Sequence, residues 1–226
     1  MKKQLITLFA SLFLITNAYA LEFGVGVSGS LAMVDAGGTE TEAGNTGAEA
    51  SLRTKNVDAI TPVGSIYAEA ILDSGWALGF EIVPMSADVT DKTHSRTDVS
   101  IAASGEGVTG TNTRTADATV EDFQTIYVEA PLGSNFFAKV GYSEIDVVVT
   151  EKQLTDMTRH KNEVLAGATV GFGVRGEWLG FNTKTAIEYT DFDEYKSTVS
   201  TSLSGTKTIT ADLDVTQVKF SMGKQF

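Results

Sequence analysis

The chain has 226 residues, with 17 Lys and Arg against 29 Asp and Glu, a net charge of −12 and no cysteine. An acidic balance without basic clusters excludes a nucleic-acid-binding surface, and the absence of cysteine excludes disulfides. The length suits one all-β domain.

The chain opens with "MKKQLITLFASLFLITNAYA". Lys2 and Lys3 precede an apolar run from Leu5 to Ile15, and "AYA" ends at Ala20. This is the pattern of a signal peptide cut after Ala20, with export through the Sec pathway. The apolar run is shorter than the roughly 20 residues of a bilayer-spanning helix. Residues 1–20 are therefore expected to be a leader, and residues 21–226 the domain. No second helical span follows, so a membrane-resident form would have to be a closed β-barrel.

From Leu21 onward the pattern has period two, the strand signature. Leu21, Phe23, Val25 and Val27 alternate with Glu22, Gly24, Gly26 and Ser28. Ile66, Ala68, Ala70 and Leu72 alternate with Ser65, Tyr67 and Glu69; after "DSG", Trp76, Leu78, Phe80 and Ile82 alternate with Ala77, Gly79 and Glu81. A near copy follows, "TIYVEAPL" echoing "SIYAEAIL", with Glu129 where Glu69 stood. After "GSN", Phe136, Ala138, Val140 and Tyr142 alternate with Phe137, Lys139 and Gly141, until the parity breaks at "SEIDVVV". A bulge there, or a strand leaving the apolar layer, would explain the break. "ATVGFGVRGEW" and "TKTAIEYTDF", joined by "LGFN", supply two more strands, and "DVTQVKFSMGKQF" supplies the eighth.

Connections alternate between short turns and the long polar stretches 34–61, 89–121, 146–163 and 191–211. This is the pattern of an eight-stranded antiparallel up-and-down transmembrane β-barrel, with short periplasmic turns and long extracellular loops. An even strand number places both termini on the short-turn side. Residues 197–213 alternate on both sides of Ser204-Gly205 and are expected to form a hairpin prolonging the last two strands. Residues 34–61 and 101–119, rich in glycine, are expected to be mobile tips.

One face collects four acids and four bases: Glu69, Glu81, Glu129, Lys139, Arg175, Lys184, Glu188 and Lys219. That balance, in a strongly acidic chain, suits an enclosed interior where buried charges must be paired. Eight strands leave room for side chains to fill the lumen. Arg175 or Lys139 is the expected partner of Glu129. Trp76, Phe136, Trp178 and Phe226 fall near short turns, as an interfacial aromatic girdle would.

The final strand, with Val218, Phe220, Met222 and Phe226 on one face, resembles the C-terminal signature read by the barrel-assembly machinery, departing from it at Lys224. "FGVGVSG", "IYAEAIL", "IYVEAPL", "AIEYTDFD" and "VKFSMGKQF" together resemble the small OmpA-like and opacity-type outer-membrane barrels of Gram-negative bacteria, a porin-like architecture. The resemblance spans the whole exported chain. It implies an outer-membrane protein surrounded by outer-membrane lipids, with no peptidoglycan-binding domain after the last strand.

Catalytic chemistry is not expected. The histidines are His94 and His160, both in polar stretches read as solvated loops. His94 and Ser95, adjacent in an extended strand, would point to opposite faces. "DFDE" at 191–194 and "ADLD" at 211–214 read as a solvated acidic rim, so no metal or cofactor is expected. The leading expectation is a monomeric, non-enzymatic structural and surface-interaction barrel whose acidic loops contact a host, phage or matrix ligand. A narrow channel for ions or small solutes is the alternative, and a lipid A-modifying enzyme a third.

Overall fold

The computed structural model describes residues 21–43, 51–88, 94–101, 108–152, 160–201 and 205–226. The leader expected over residues 1–20 lies outside the described residues. Eleven β segments follow one another and no helix occurs among them: β1 (Leu21–Ala43), β2 (Ser51–Leu72), β3 (Ala77–Ile82), β4 (Ala87–Asp88), β5 (His94–Ile101), β6 (Val108–Leu132), β7 (Phe136–Lys152), β8 (Glu163–Trp178), β9 (Phe181–Phe192), β10 (Tyr195–Thr201) and β11 (Gly205–Gln225). Neighbours pair antiparallel in the order β1-β2-β3-β6-β7-β8-β9-β11, and β11 pairs with β1, closing a ring of eight. β4 and β5 continue the β3 stave along β6, and β10 continues the β9 stave along β11. Closure pairs every one of the eight staves on both sides near the short turns.

The turns are tight at one end. Gly75 and Gly133 take positive φ in the first two. Leu179 and Gly180 connect Trp178 to Phe181, both at positive φ, as a two-residue hairpin turn requires. At the other end the strands run long. The stretches 34–43, 51–61 and 108–119, expected as loops, are strand. These stretches mix threonine, glycine, alanine and charged residues on both parities, so no hydropathy alternation marked them. The expected hairpin past Asp193 is present, with Tyr195↔Ala211 through Thr201↔Gly205 in register.

At "SEIDVVV" β7 keeps its parity and leaves the apolar layer, Ile145 and Val147 turning inward while Glu144 and Asp146 take the face of Val140 and Tyr142. β7 pairs with β8 without a shift, whereas β6 bulges between Glu121 and Gln124. Asp122, at φ 53°, makes the extra turn of backbone.

The ring is inverted relative to a water-soluble sandwich. Val27, Val140 and Ile187 point outward and are 60%, 58% and 61% exposed, while Glu69 and Lys139 point inward and are 3% exposed. The apolar belt ends near a row of aspartates, Asp58, Asp35, Asp214 and Asp191, in register across β2, β1, β11 and β9. A hydrogen bond with Asp214, and the charge of neighbouring aspartates, raise the Asp191 carboxyl above its ordinary range.

Small residues on the inner face make room for large ones. A Cβ on Gly79 would lie 2.2 Å from the Tyr127 ring, whereas one on Gly29, facing outward, would meet nothing within 4 Å. Gly79→Ala is expected to cost about 1–3 kcal/mol by overpacking. Gly29→Ala is expected to stay within about 0.5 kcal/mol. Urea unfolding of the refolded protein in vesicles measures both.

Candidate functional site in the barrel interior

The eight charged residues named above come together in two groups. Nearer mid-barrel, Glu81 of β3, Lys139 of β7, Glu188 of β9 and Lys219 of β11 form a closed ring. Lys139 Nζ lies 3.3 Å from Glu81 and 2.9 Å from Glu188. Lys219 Nζ lies 2.9 Å from Glu81 and 2.8 Å from Glu188. Each lysine touches both carboxylates. Ser65 donates to Glu81, and Lys139 sits 4.0 Å from the centre of the Tyr127 ring. Every member is buried, so the ring holds because its charges cancel and its hydrogen-bonding capacity is used.

Nearer the short turns lies an open chain. Lys184 of β9 bridges Glu69 of β2 and Glu129 of β6, 2.8 Å from the latter. Arg175 of β8 donates to Glu129 at 3.4 Å and to the Gly75 carbonyl at 3.1 Å. The Tyr127 hydroxyl donates to Glu69 at 2.7 Å. Arg175 and Lys184 both lie against Phe137. Of the two partners expected for Glu129, Arg175 reaches it. Lys139 stands opposite Glu129 in register but reaches across the lumen to Glu81 and Glu188.

Where the two groups meet, the remaining void is about 10 Å³, at or below what one water needs. On the short-turn side an open cup of about 320 Å³ is lined by Arg175, Lys184, Asn135 and Asn182. On the other side the Thr125, Ser143, Thr169 and Thr190 hydroxyls form a belt from β6 to β9 at 2.8, 2.6 and 2.8 Å. Above it the interior turns apolar, with Ala32, Ile145, Leu165, Phe192, Leu213 and Val215 buried together. Sequence reading missed this layer. Its signal was "IDVVV" in β7, where Ile145, Val147 and Val149 put apolar residues on the parity that carries Phe137 and Lys139 lower in the strand.

His160 departs from the solvated loop expected for it. It is buried, with Nδ1 3.0 Å from Ser197 Oγ, while the Tyr195 hydroxyl donates to the Lys161 carbonyl at 2.9 Å. These contacts fold the segment before β8 inward onto β10. Ser197 is itself buried, so the pair presents no open nucleophile. His94 lies in β5, paired with Ala116. Among the described residues no group of acids and histidines could hold a metal ion.

Trp76, Phe136, Trp178 and Phe226 are exposed beside the short turns, Phe136 stacking on Phe172 at 5.8 Å. Val218, Phe220 and Phe226 point outward from β11, Met222 is half-buried on the same face, and Lys224 reaches the Gly180 carbonyl.

No protein-family model and no curated protein sequence matches the chain. Solved structures do. The outer membrane protein OprG from Pseudomonas aeruginosa is 12% identical, with 92% of this chain and 97% of that one covered, at a TM-score of 0.50. Ail, the attachment invasion locus protein of Yersinia pestis, is 9% identical over 91% of this chain and 99% of its own, at 0.45. Neisserial surface protein A is 9% identical over 86% and 95%, at 0.32. At these identities the likeness concerns the fold, the eight-stranded outer-membrane barrel.

Glu81→Ala leaves two buried lysines sharing one carboxylate and is expected to cost about 3–5 kcal/mol. Glu129→Ala is expected to cost less, because Arg175 is partly exposed and Lys184 keeps Glu69. Removing Glu81, Lys139, Glu188 and Lys219 together, as apolar residues of similar size, is expected to cost less than Glu81→Ala alone. Equilibrium unfolding of the three variants decides.

Proposed function

We propose that the protein is an outer-membrane β-barrel, close in kind to the OmpA-like and opacity-type barrels, that anchors an acidic surface and does not conduct along its axis. The observation that carries this is the void of about 10 Å³ between two charge-compensated groups spanning the lumen. An ion crossing would have to part buried pairs, each costly to break. The outward apolar belt supports a bilayer location, since water-soluble proteins rarely expose contiguous apolar patches so large. Val218, Phe220, Met222 and Phe226 of β11 are the surface offered to the assembly machinery. The protein works as a monomer without a cofactor or catalytic residue, and it reaches the membrane through the Sec pathway.

The part that meets partners is the extended wall beyond the aspartate row, where β1, β2, β5, β6, β10 and β11 outreach the apolar belt. Its acids, Asp35, Asp58, Asp191 and Asp214 among them, suit a basic or cation-bridged ligand on a host, phage or matrix. The Ail structure was solved with a heparin analogue, an anionic ligand that this acidic rim would repel.

In planar bilayers the inserted protein is expected to be silent at neutral pH. Insertion is checked by heat-dependent migration on SDS gels. Discrete, salt-dependent openings from inserted protein would replace this reading with the channel.

A further inference from the structure

We propose that the barrel wall holds a slot for the acyl chain of a bilayer lipid, entered sideways between β2 and the β3–β4 stave; this rests on the membrane reading above. Three observations meet there.

The first is a break in the wall. β2 and β3 pair only from Ile66↔Ile82 to Ile71↔Ala77. From Ser65 up to Asn56, β2 keeps its partner β1 but pairs with no strand on its other side among the described residues, since β4 and β5 pair with β6. Two of the chain's three prolines flank the break, Pro62 on β2 and Pro84 just after β3. Neither has an N–H to give to a ladder, and strand prolines belong at edges. An open edge below the aspartate row, at the height of the outward Ile60 and Pro62, is costly in a bilayer. Its persistence there argues for use.

The second is what lies behind the break. The upper interior contains a cavity of about 60 Å³, walled by Val34, Val63, Val83, Phe123, Leu213 and Val215. An apolar cavity of this kind stays dry and accepts apolar guests. Its floor is Gln217, above the charged ring.

The third is what lies in front. A groove of about 540 Å³ runs on the outer face past Gly29 and Gly64, between Leu31, Pro62, Val218, Phe220 and Met85. Gly29 and Gly64 pair with each other, and a Cβ on either would meet nothing within 4 Å. The groove is continuous with the apolar belt, so a bilayer lipid reaches it first. Its chain can lie along the glycine floor and tuck its end through the break. The barrel's other interruption, between β8 and β10, is bridged by polar contacts, His160 to Ser197 and Tyr195 to Lys161. The β2–β3 break has apolar lips instead.

The test places the full protein in phosphatidylcholine vesicles doped with a phosphatidylcholine whose acyl chain bears a diazirine near its end. After irradiation, labelled residues are mapped by mass spectrometry. Label on the inward Phe123 and Val215 is expected, because lipid outside the wall cannot reach them. Its loss is expected in Gly64→Leu, which fills the groove where space is open, and in Ala59→Phe, which fills the cavity. Heat-dependent gel migration confirms that each variant folds, and Gly64→Leu suffices if Ala59→Phe does not. Label confined to the outward Val25, Val140 and Val170 would overturn the slot and leave the membrane reading standing. No label anywhere would overturn both. Inward label from a free diazirine fatty acid but not from the labelled lipid would overturn the lipid as occupant.

Discussion

The interior of this barrel depends on one constraint: every charge brought inside must find its opposite there. Eight ionic side chains arrive from β2, β3, β6, β7, β8, β9 and β11. β1 contributes none of these eight, its Glu40 pairing with Lys207 farther up; at their level its inner face offers Gly24, Gly26 and Ser28, two of them bare enough for the Tyr67 and Glu69 side chains to lie close by. A one-residue slip of any charged strand would turn its charge to the outer face and leave its partner alone inside. The network thus ties strand register to charge balance around nearly the whole ring. Its energetic effect is asymmetric. Broken singly, a buried pair is expensive; replaced whole, it costs little.

The aromatic residues divide the charges into layers. Tyr127 donates to Glu69 of the outer chain while Lys139 of the inner ring lies over its ring face. Phe137, 1% exposed, does the corresponding work beneath Arg175 and Lys184. These rings, and that of Tyr67, cross the lumen only because Gly79, Gly173 and Gly223 leave the wall bare opposite Tyr127, Phe137 and Tyr67 in turn. The same glycines that weaken the strands as strands allow them to close around a filled centre.

Strand faces and short turns were legible because one face meets apolar surroundings and the other does not, so period two is written along every stave. Three things escaped that logic. Partner choice did, because lysine is long enough to cross the lumen: Lys139 stands beside Glu129 yet binds Glu81 and Glu188. The strand extensions did, because a ribbon such as 108–119 with polar residues on both faces carries no contrast. The upper interior did, because in β7 Ile145 and Val147 are apolar inside while Glu144 and Asp146 take the outer parity, which reverses the alternation. His160 was read as solvated for a related reason: its partner Ser197 lies on a distant segment, and nothing in "MTRHKNE" points to it.

The polar and apolar halves of the interior ask different things of the wall. At the level of the charges the wall must be continuous, since a gap would let water reach buried ions and remove the reason for their pairing. There β2, β3 and β6 are fully laddered, from Ile66 to Ile71 and from Ala77 to Ile82. Just above Ser65 the lining beside the break is apolar, the Lys207–Glu40 pair lying farther up on β11 and β1, and a gap there costs backbone hydrogen bonds but strands no ion. The break therefore begins where the eight-residue network ends, one residue beyond Glu81 on β3, and the Ser65 hydroxyl, the last inward group before it, is spent on Glu81. The charge network sets the height above which the wall can open, and Pro62 and Pro84 stand just past that height on either side of the opening.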